Sequence, residues 1–219
     1  GHFQLFLQRH AAMEKREAWR NNVKITEKQE QLILGGILGD AAIRMGNDKS
    51  HNARITFVHG IKQYEYCIWK YEQLKDIVKT EPKIKINGGY GDKVITFNTI
   101  SLPCLTEIYN STKRNGTTTI TEEFLDKITS PLALAIWILD DGSLDKKNIY
   151  HISLGDRTQF ETELLQTWME LKWGIESTIT KSKEYVIHIS KKRESLKLKE
   201  LIAPHIEVDQ MKYKIMFTT

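Results

Sequence analysis

Two aspartates close the two most apolar runs of the chain: Gln31-Leu-Ile-Leu-Gly-Gly-Ile-Leu-Gly-Asp40 and Leu132-Ala-Leu-Ala-Ile-Trp-Ile-Leu-Asp-Asp141. Gly35 and Gly36 inside a helix each cost about 1 kcal/mol relative to alanine, which close approach of another backbone would offset. Gly35 and Gly39, four apart, make a flat strip against which Leu132-Ala133-Leu134-Ala135 could pack at short range. Such packing brings the two helix ends together. Two carboxylates held within several ångströms of each other repel, and a divalent cation between them reverses the local energetics. An oxygen-rich site of this kind suits Mg²⁺, with Mn²⁺ as a substitute, for chemistry on a phosphate. One such aspartate alone is equally well read as the solvent-facing end of an apolar helix; the case rests on there being two.

The elements that must position them repeat. Thr26 with Gln29 forms a capping box opening the first helix, and Ser130-Pro131 supplies an N-cap and first helical position for the second. After the first helix come a polar turn at Met45–Asn52, a strand Arg54–His59, a helix from Ile61 to about Lys79, and a hairpin pairing Lys83–Asn87 with Val94–Asn98 across Gly88-Gly89-Tyr90-Gly91. After the second come a turn at Asp145–Asn148, a strand Ile149–Leu154, a helix Thr158–Trp173, strands Ile175–Thr180 and Glu184–Ser190, and a helix from Lys191. The expected class is α+β: two pseudo-symmetric αββαββα halves with antiparallel sheets around two central helices. The expected boundaries are an extension at 1–23, a first repeat at 24–115, a linker at 116–129 and a second repeat at 130–219.

Ile33-Leu-Gly-Gly-Ile-Leu-Gly-Asp40-Ala41 and Leu134-Ala-Ile-Trp-Ile-Leu-Asp-Asp141-Gly142 both resemble the LAGLIDADG motif of homing endonucleases, in its monomeric, two-motif, intron-encoded branch. The resemblance covers the chain from Thr26 onward. It implies motif helices at the interface of the halves and sheets forming a saddle in the DNA major groove. It also implies Asp40 and Asp141 as metal ligands, with the backbones of Gly39 and Asp140 assisting and the Asp140 side chain structural. The family places a lysine near each scissile phosphate. Gln210-Met-Lys-Tyr-Lys-Ile215 resembles one such segment and points to Lys214, whereas Thr118 of Gly116-Thr-Thr-Thr-Ile120 fills the other lysine slot. Lys113 follows Asp40 by the same 73 residues that separate Lys214 from Asp141, making it the candidate substitute, beside the reading of a solvated loop charge.

Strand alternation gives each hairpin a polar face. Ile84 and Ile86 oppose Lys83, Lys85 and Asn87; Tyr185, Ile187 and Ile189 oppose Val186, His188 and Ser190. Any one such face is also what an ordinary solvated sheet shows. Taken together they match phosphates and base edges, through Arg44, Arg54, Thr56, Lys83, Lys85, Asn87, Thr96, Asn98, Lys146, Lys147, His151, Ser153, Thr178, Thr180, His188 and Ser190.

The net charge of +4 is mildly basic, and the whole surplus lies before Ser111, so a polyanion must be met by local patches. Cys67 and Cys104, on helical segments, read as buried thiols of an intracellular, reducing compartment, bacterial cytoplasm or organelle matrix. The apolar stretches Leu32–Leu38 and Leu132–Leu139 are too short to span a membrane, and no anchor or secretory leader is expected. Gly1-His2 reads as a cloning remnant. The function expected is site-specific, Mg²⁺-dependent cleavage of a long asymmetric duplex by a monomer. The alternatives are an RNA-splicing maturase with intron RNA as partner, and a nuclease-dead DNA-binding regulator.

Overall fold

The computed structural model describes residues 1–47, 49, 51–87 and 91–219, without the side chain of Asn87. The hairpin turn expected at Gly88-Gly89-Tyr90 lies outside the described residues. After a helix α1 (His2–Asn22), the first half runs α2 (Glu27–Leu38), β1 (Ala42–Met45), β2 (Ala53–Gly60), α3 (Tyr64–Leu74), β3 (Lys83–Asn87), β4 (Asp92–Asn98) and α4 (Pro103–Asn110). The second half repeats it with α6 (Pro131–Asp141), β7 (Gly142–Leu144), β8 (Tyr150–Ser153), α7 (Gln159–Trp173), β9 (Thr178–Lys181), β10 (Tyr185–Ile189) and α8 (Lys192–Ile202). The sheets share one antiparallel topology, β1-β2-β4-β3 and β7-β8-β10-β9. Each half is therefore αββαββα, and the duplicated order survives into three dimensions.

One stretch differs from expectation. Residues 116–129 are structured: β5 (Lys113–Asn115) and β6 (Thr117–Thr119) form a hairpin turned at Gly116 (φ 80°), followed by α5 (Glu122–Asp126). The composition of Lys113–Thr121, rich in Thr, Asn and Gly, suggested a linker because it lacks apolar periodicity; Ile120, Phe124, Leu125 and Ile128 nevertheless join the core. Helix α1 is formed, but none of its residues is buried.

Local chemistry explains the central helices. Thr26 and Gln29 complete the capping box of α2, and Ser130 accepts from the Leu132 N–H ahead of Pro131 in α6. Gln31, buried on α2, ties the halves together: it donates to the Lys127 carbonyl and accepts from Thr129 and Ser130 N–H. A Cβ built on Gly35 would lie 2.4 Å from the Ala133 carbonyl oxygen, and one on Gly39 would lie 2.5 Å from Asp140 Cβ. The glycines thus permit backbone contact that any side chain would block. All of Leu32–Leu38 and Leu132–Leu139 is buried, so these helices are at once the core and the seam.

Sheet alternation is as expected for β10, where Ile187 and Ile189 are fully buried. On β3 it is not: Ile84 and Ile86 are 55% and 70% exposed. The strand sits at the sheet edge, and among the described residues Ile84 and Ile86 are not part of the core, so the period-2 pattern outlasts the core it was expected to meet.

Candidate metal centre and nucleic-acid interface

Helix α2 stops at Leu38, so Asp40 lies just past its end rather than on it, while Asp141 is the last residue of α6. Close packing of α2 on α6 at Gly35 and Gly39 brings the two together, and both carboxyl groups line one cavity. Both are pushed above the usual carboxylate range, chiefly by burial, then by Asp140 for Asp40 and by Asp40 for Asp141. They border a cavity of about 370 Å³ lined also by Gly39, Thr118, Ser153 and Arg157.

Asp140 has a different job. Its side chain is fully buried; one oxygen accepts from Tyr66 Oη (2.7 Å) and Lys70 Nζ (2.9 Å), the other from the backbone N–H of Asp40 (3.0 Å). The second half thereby fixes the backbone of the first half's motif aspartate. Lys70 also donates to His59 Nε2 (2.9 Å), so His59 carries its proton on Nδ1 and donates to Gln63 (2.9 Å). Burial, then Lys70, lowers His59 to about 4, keeping it neutral. Asp40, His59 and Asp140 offer ligand atoms within 4.8 Å of one another. Lys70, hydrogen-bonded to both Asp140 and His59, places a cation beside this trio.

Each motif helix ends on a cation. Lys214 Nζ donates to the Leu139 carbonyl (2.6 Å), and Arg157 Nη2 donates to the carbonyls of Ile37 (3.1 Å) and Leu38 (3.2 Å). The last carbonyls of a helix lack intrahelical partners and carry partial negative charge, so cations belong there. Lys214 is buried, which pulls it below the ordinary lysine value against the raising influence of Asp140, Asp40 and Asp141. Arg157 is held by Glu161 (3.0 Å), whose carboxylate also accepts from Ile120 N–H (2.9 Å) ahead of α5.

The sequence-predicted residues divide clearly. Asp40, Asp141, Gly39 and Thr118 line one cavity, Asp140 underpins it, and Lys214 caps the helix beside it. Lys113 is exposed on β5, paired with Thr119, and Arg114 stacks 3.6 Å over the Tyr109 ring. Equal spacing from the two aspartates therefore does not give equal position, because the first half continues into a hairpin where the second half has a 3₁₀ turn, Asp209–Ile215. Sequence reasoning missed His59, Tyr66, Lys70, Arg157 and Glu161. The i,i+4 pair Tyr66/Lys70 was the available signal, since such residues share a helix face; Arg157 precedes the N-cap of α7 and gave none.

The strand residues expected at the interface fall on one face of each sheet. Registers Arg44↔Arg54, Thr56↔Asn98 and Lys83↔Thr96 set the first face, opposite buried Ile43, Ile55 and Phe57. His151↔His188 and His188↔Thr178 set the second, with Ser153 and Thr180 on the same side and Lys146 and Lys147 in the β7–β8 turn. Ser190 follows β10 and is exposed. Among the described residues, no helix is long and apolar enough to cross a membrane.

This architecture defines a two-motif protein in which paired helices present one aspartate each beneath two duplicated sheets. The model of the LAGLIDADG DNA endonuclease family matches residues 30–197, and the chain belongs to that family. Its fold is similar to that of the homing endonuclease I-WcaI bound to its DNA recognition sequence (22% identity, 90% of this chain and 89% of that one, TM-score 0.77). It is also similar to the N-terminal LAGLIDADG domain of WhiA (12%, 89% and 91%, TM-score 0.50). Among protein sequences, it is 28% identical over 209 residues to the cytochrome b mRNA maturase bI2 of Debaryomyces hansenii, covering 89% of this chain and 76% of that protein. It is 27% identical over 209 residues to the RecA protein of Mycolicibacterium flavescens, covering 88% of this chain but 47% of that protein, about half its length.

Proposed function

We propose that the chain is a site-specific endonuclease that hydrolyses both strands of an asymmetric duplex, with one centre built on Asp40 and Asp141. The observation that carries this reading is the meeting of the two motif carboxylates at one cavity, both destabilised as anions by burial and mutual repulsion. The donor set is all oxygen, with the carbonyls of Gly39 and Asp140 available in sequence beside the carboxylates, and this fits a hard divalent cation such as Mg²⁺, with Mn²⁺ as substitute. Such an ion supplies Lewis-acid polarisation of the scissile phosphate and a water of lowered pKa.

The chain's own residues do the rest. Asp140, locked by Tyr66 and Lys70, fixes Asp40 through its backbone N–H, while Lys214 and Arg157 hold the helix ends and place positive charge beside the centre. The exposed faces carrying Arg44, Arg54, Lys83, Lys85, Lys146 and Lys147 meet phosphate and base edges, and two non-identical halves require no palindrome. Asp40→Asn and Asp141→Asn should each abolish cleavage while leaving duplex binding within about 1–2 kcal/mol, because a lost metal ligand removes transition-state stabilisation and not groove contacts. Cleavage at the wild-type rate by either variant overturns the assignment.

The likeness to the bI2 maturase over 89% of the chain favours a second reading, in which the same surface stabilises folded intron RNA. A duplex library incubated in Mg²⁺ or Ca²⁺, with folded intron RNA as competitor, separates the two. Cleavage in Mg²⁺ marks the nuclease, preference for RNA the maturase, and duplex binding without cleavage a regulator.

A further inference from the structure

The outward face of the second sheet carries a chain of four side chains joined end to end. Asp145 Oδ2 lies 2.8 Å from His151 Nε2, His151 Nδ1 lies 2.7 Å from His188 Nδ1, and His188 Nε2 lies 2.6 Å from Thr180 Oγ1. A carboxylate only accepts, so His151 Nε2 carries the proton. The bond from His151 holds Asp145 below the usual carboxylate range. In a neutral ring the other nitrogen is then an acceptor, so His188 must donate from Nδ1, which leaves its Nε2 to accept from the Thr180 hydroxyl. Burial, then the neighbouring His151, lower His188, which disfavours its charged form. Every link has one polarity, and it runs from Thr180 down to Asp145.

We propose that this relay makes Thr180 a specificity-determining residue: its proton is committed to His188, so it offers the groove lone pairs only and selects a base that presents an exocyclic amino group. This rests on the duplex-DNA reading above. In the major groove only adenine N6 and cytosine N4 supply that donor, whereas guanine and thymine present acceptors there. A free threonine hydroxyl could serve either class; this one cannot.

The geometry also supplies a way to reverse the relay without changing pH. Asp145 Oδ1 accepts from the backbone N–H groups of Lys147 (2.8 Å) and Ile149 (3.0 Å). In Asp145→Asn those two donors keep the amide oxygen in place, so the amide nitrogen faces His151 and donates to it. His151 must then donate to His188, His188 to Thr180, and the Thr180 proton is released toward the groove.

Two measurements test this. Long-range ¹H–¹⁵N correlation of the imidazole nitrogens, on the protein without DNA, should show His151 protonated on Nε2 and His188 on Nδ1, with both exchanged in Asp145→Asn. Binding to a panel of single-base variants of a duplex selected from a random library should then show one position where Thr180→Val relaxes discrimination by about two- to tenfold, the scale of a single hydrogen bond. At that position the wild type should prefer adenine or cytosine, and Asp145→Asn should prefer guanine or thymine. Both histidines protonated on Nε2 in the wild type, a result that needs no variant to fold, overturns the relay. Exchanged tautomers with an unchanged preference at that position overturn the role of Thr180 while leaving DNA binding intact. Failure to select any duplex overturns the DNA reading itself, whatever the tautomers.

Discussion

Lys70→Met is the most demanding test of the network under the paired aspartates. Lys70 and Asp140 form an ion pair at 2.9 Å with both side chains fully buried, and Lys70 Nζ lies 4.4 Å from the Tyr66 ring centroid and 5.5 Å from that of Phe57. Methionine keeps a buried apolar stem of similar length and removes the ammonium with its hydrogen bonds and its contacts to the two rings. Asp140 is then left desolvated, with Tyr66 Oη and the Asp40 N–H as its remaining partners, and breaking one side of a buried pair typically costs about 3–5 kcal/mol. Against a total stability of about 5–15 kcal/mol this is a large fraction, equivalent to roughly 6–20 °C in Tm for a chain of this size. Asp140→Asn in the same background removes the stranded charge, so the double variant should be more stable than the sum of the single losses by about 0.5–3 kcal/mol. Urea unfolding followed by tryptophan fluorescence measures each corner of the cycle, read from shifts in midpoint at constant slope. A Lys70→Met variant within about 1 kcal/mol of wild type would refute the claim that Asp140 needs its cation.

Four further outcomes follow from the same geometry. Gly35→Ala should destabilise by about 1–3 kcal/mol despite the helix propensity it gains, because its Cβ would meet the Ala133 backbone; a neutral or stabilising effect in thermal unfolding would show that the helices can part freely. Without divalent metal, the raised Asp40 and Asp141 contribute stability that is complete at acid pH, below their unfolded values, and is lost as pH rises through their folded ones; Tm should therefore fall on that rise and Mg²⁺ should restore it, whereas a metal-independent Tm profile would contradict the pairing. Duplex binding should weaken steeply with salt, with a log–log slope set by about 6–10 phosphate contacts, and a nearly flat dependence would count against the sheet faces as the interface. Lys214 fills one lysine slot with charge and Thr118 the other without it, so the two scissile phosphates should meet unequal fields, one strand should be cut more slowly, and Thr118→Lys should accelerate it; plasmid time courses that show no nicked intermediate in the wild type would remove the asymmetry.

The capping box of α2, the N-cap of α6, the glycine strip and the duplicated order of elements were legible because each is a local signal: hydroxyl and amide spacing, helix-disfavouring residues in an apolar run, and a period repeated twice. Asp40 and Asp141 followed from the same signals. What the sequence could not display was contact across the seam. Nothing in the spacing of Tyr66 and Lys70 says that they reach into the other half to hold Asp140, nor that Arg157 reaches back to the end of α2. The hairpin at 113–119 was hidden by its polar composition, and Ile84 and Ile86 looked like core because alternation reports a strand's two faces without reporting whether anything covers them.

The seam between α2 and α6 also decides which halves can associate. Its contacts are unlike on the two sides: Gly35 meets Ala133, and Gly39 meets Asp140. Two copies of the first half joined through α2 would set glycine strip against glycine strip, forfeiting contact along the groove and leaving Lys70 with no carboxylate in its pocket. Two copies of the second half would crowd Asp140 against its own duplicate, two buried anions with no lysine between them. Self-pairing is therefore penalised in both directions, by emptiness in one and by charge in the other, and only the mixed pair fills the seam. The duplication has thus diverged past the point of return to a symmetric dimer: each half has become the other's obligatory complement, and an asymmetric binding surface follows from the way the two are locked together.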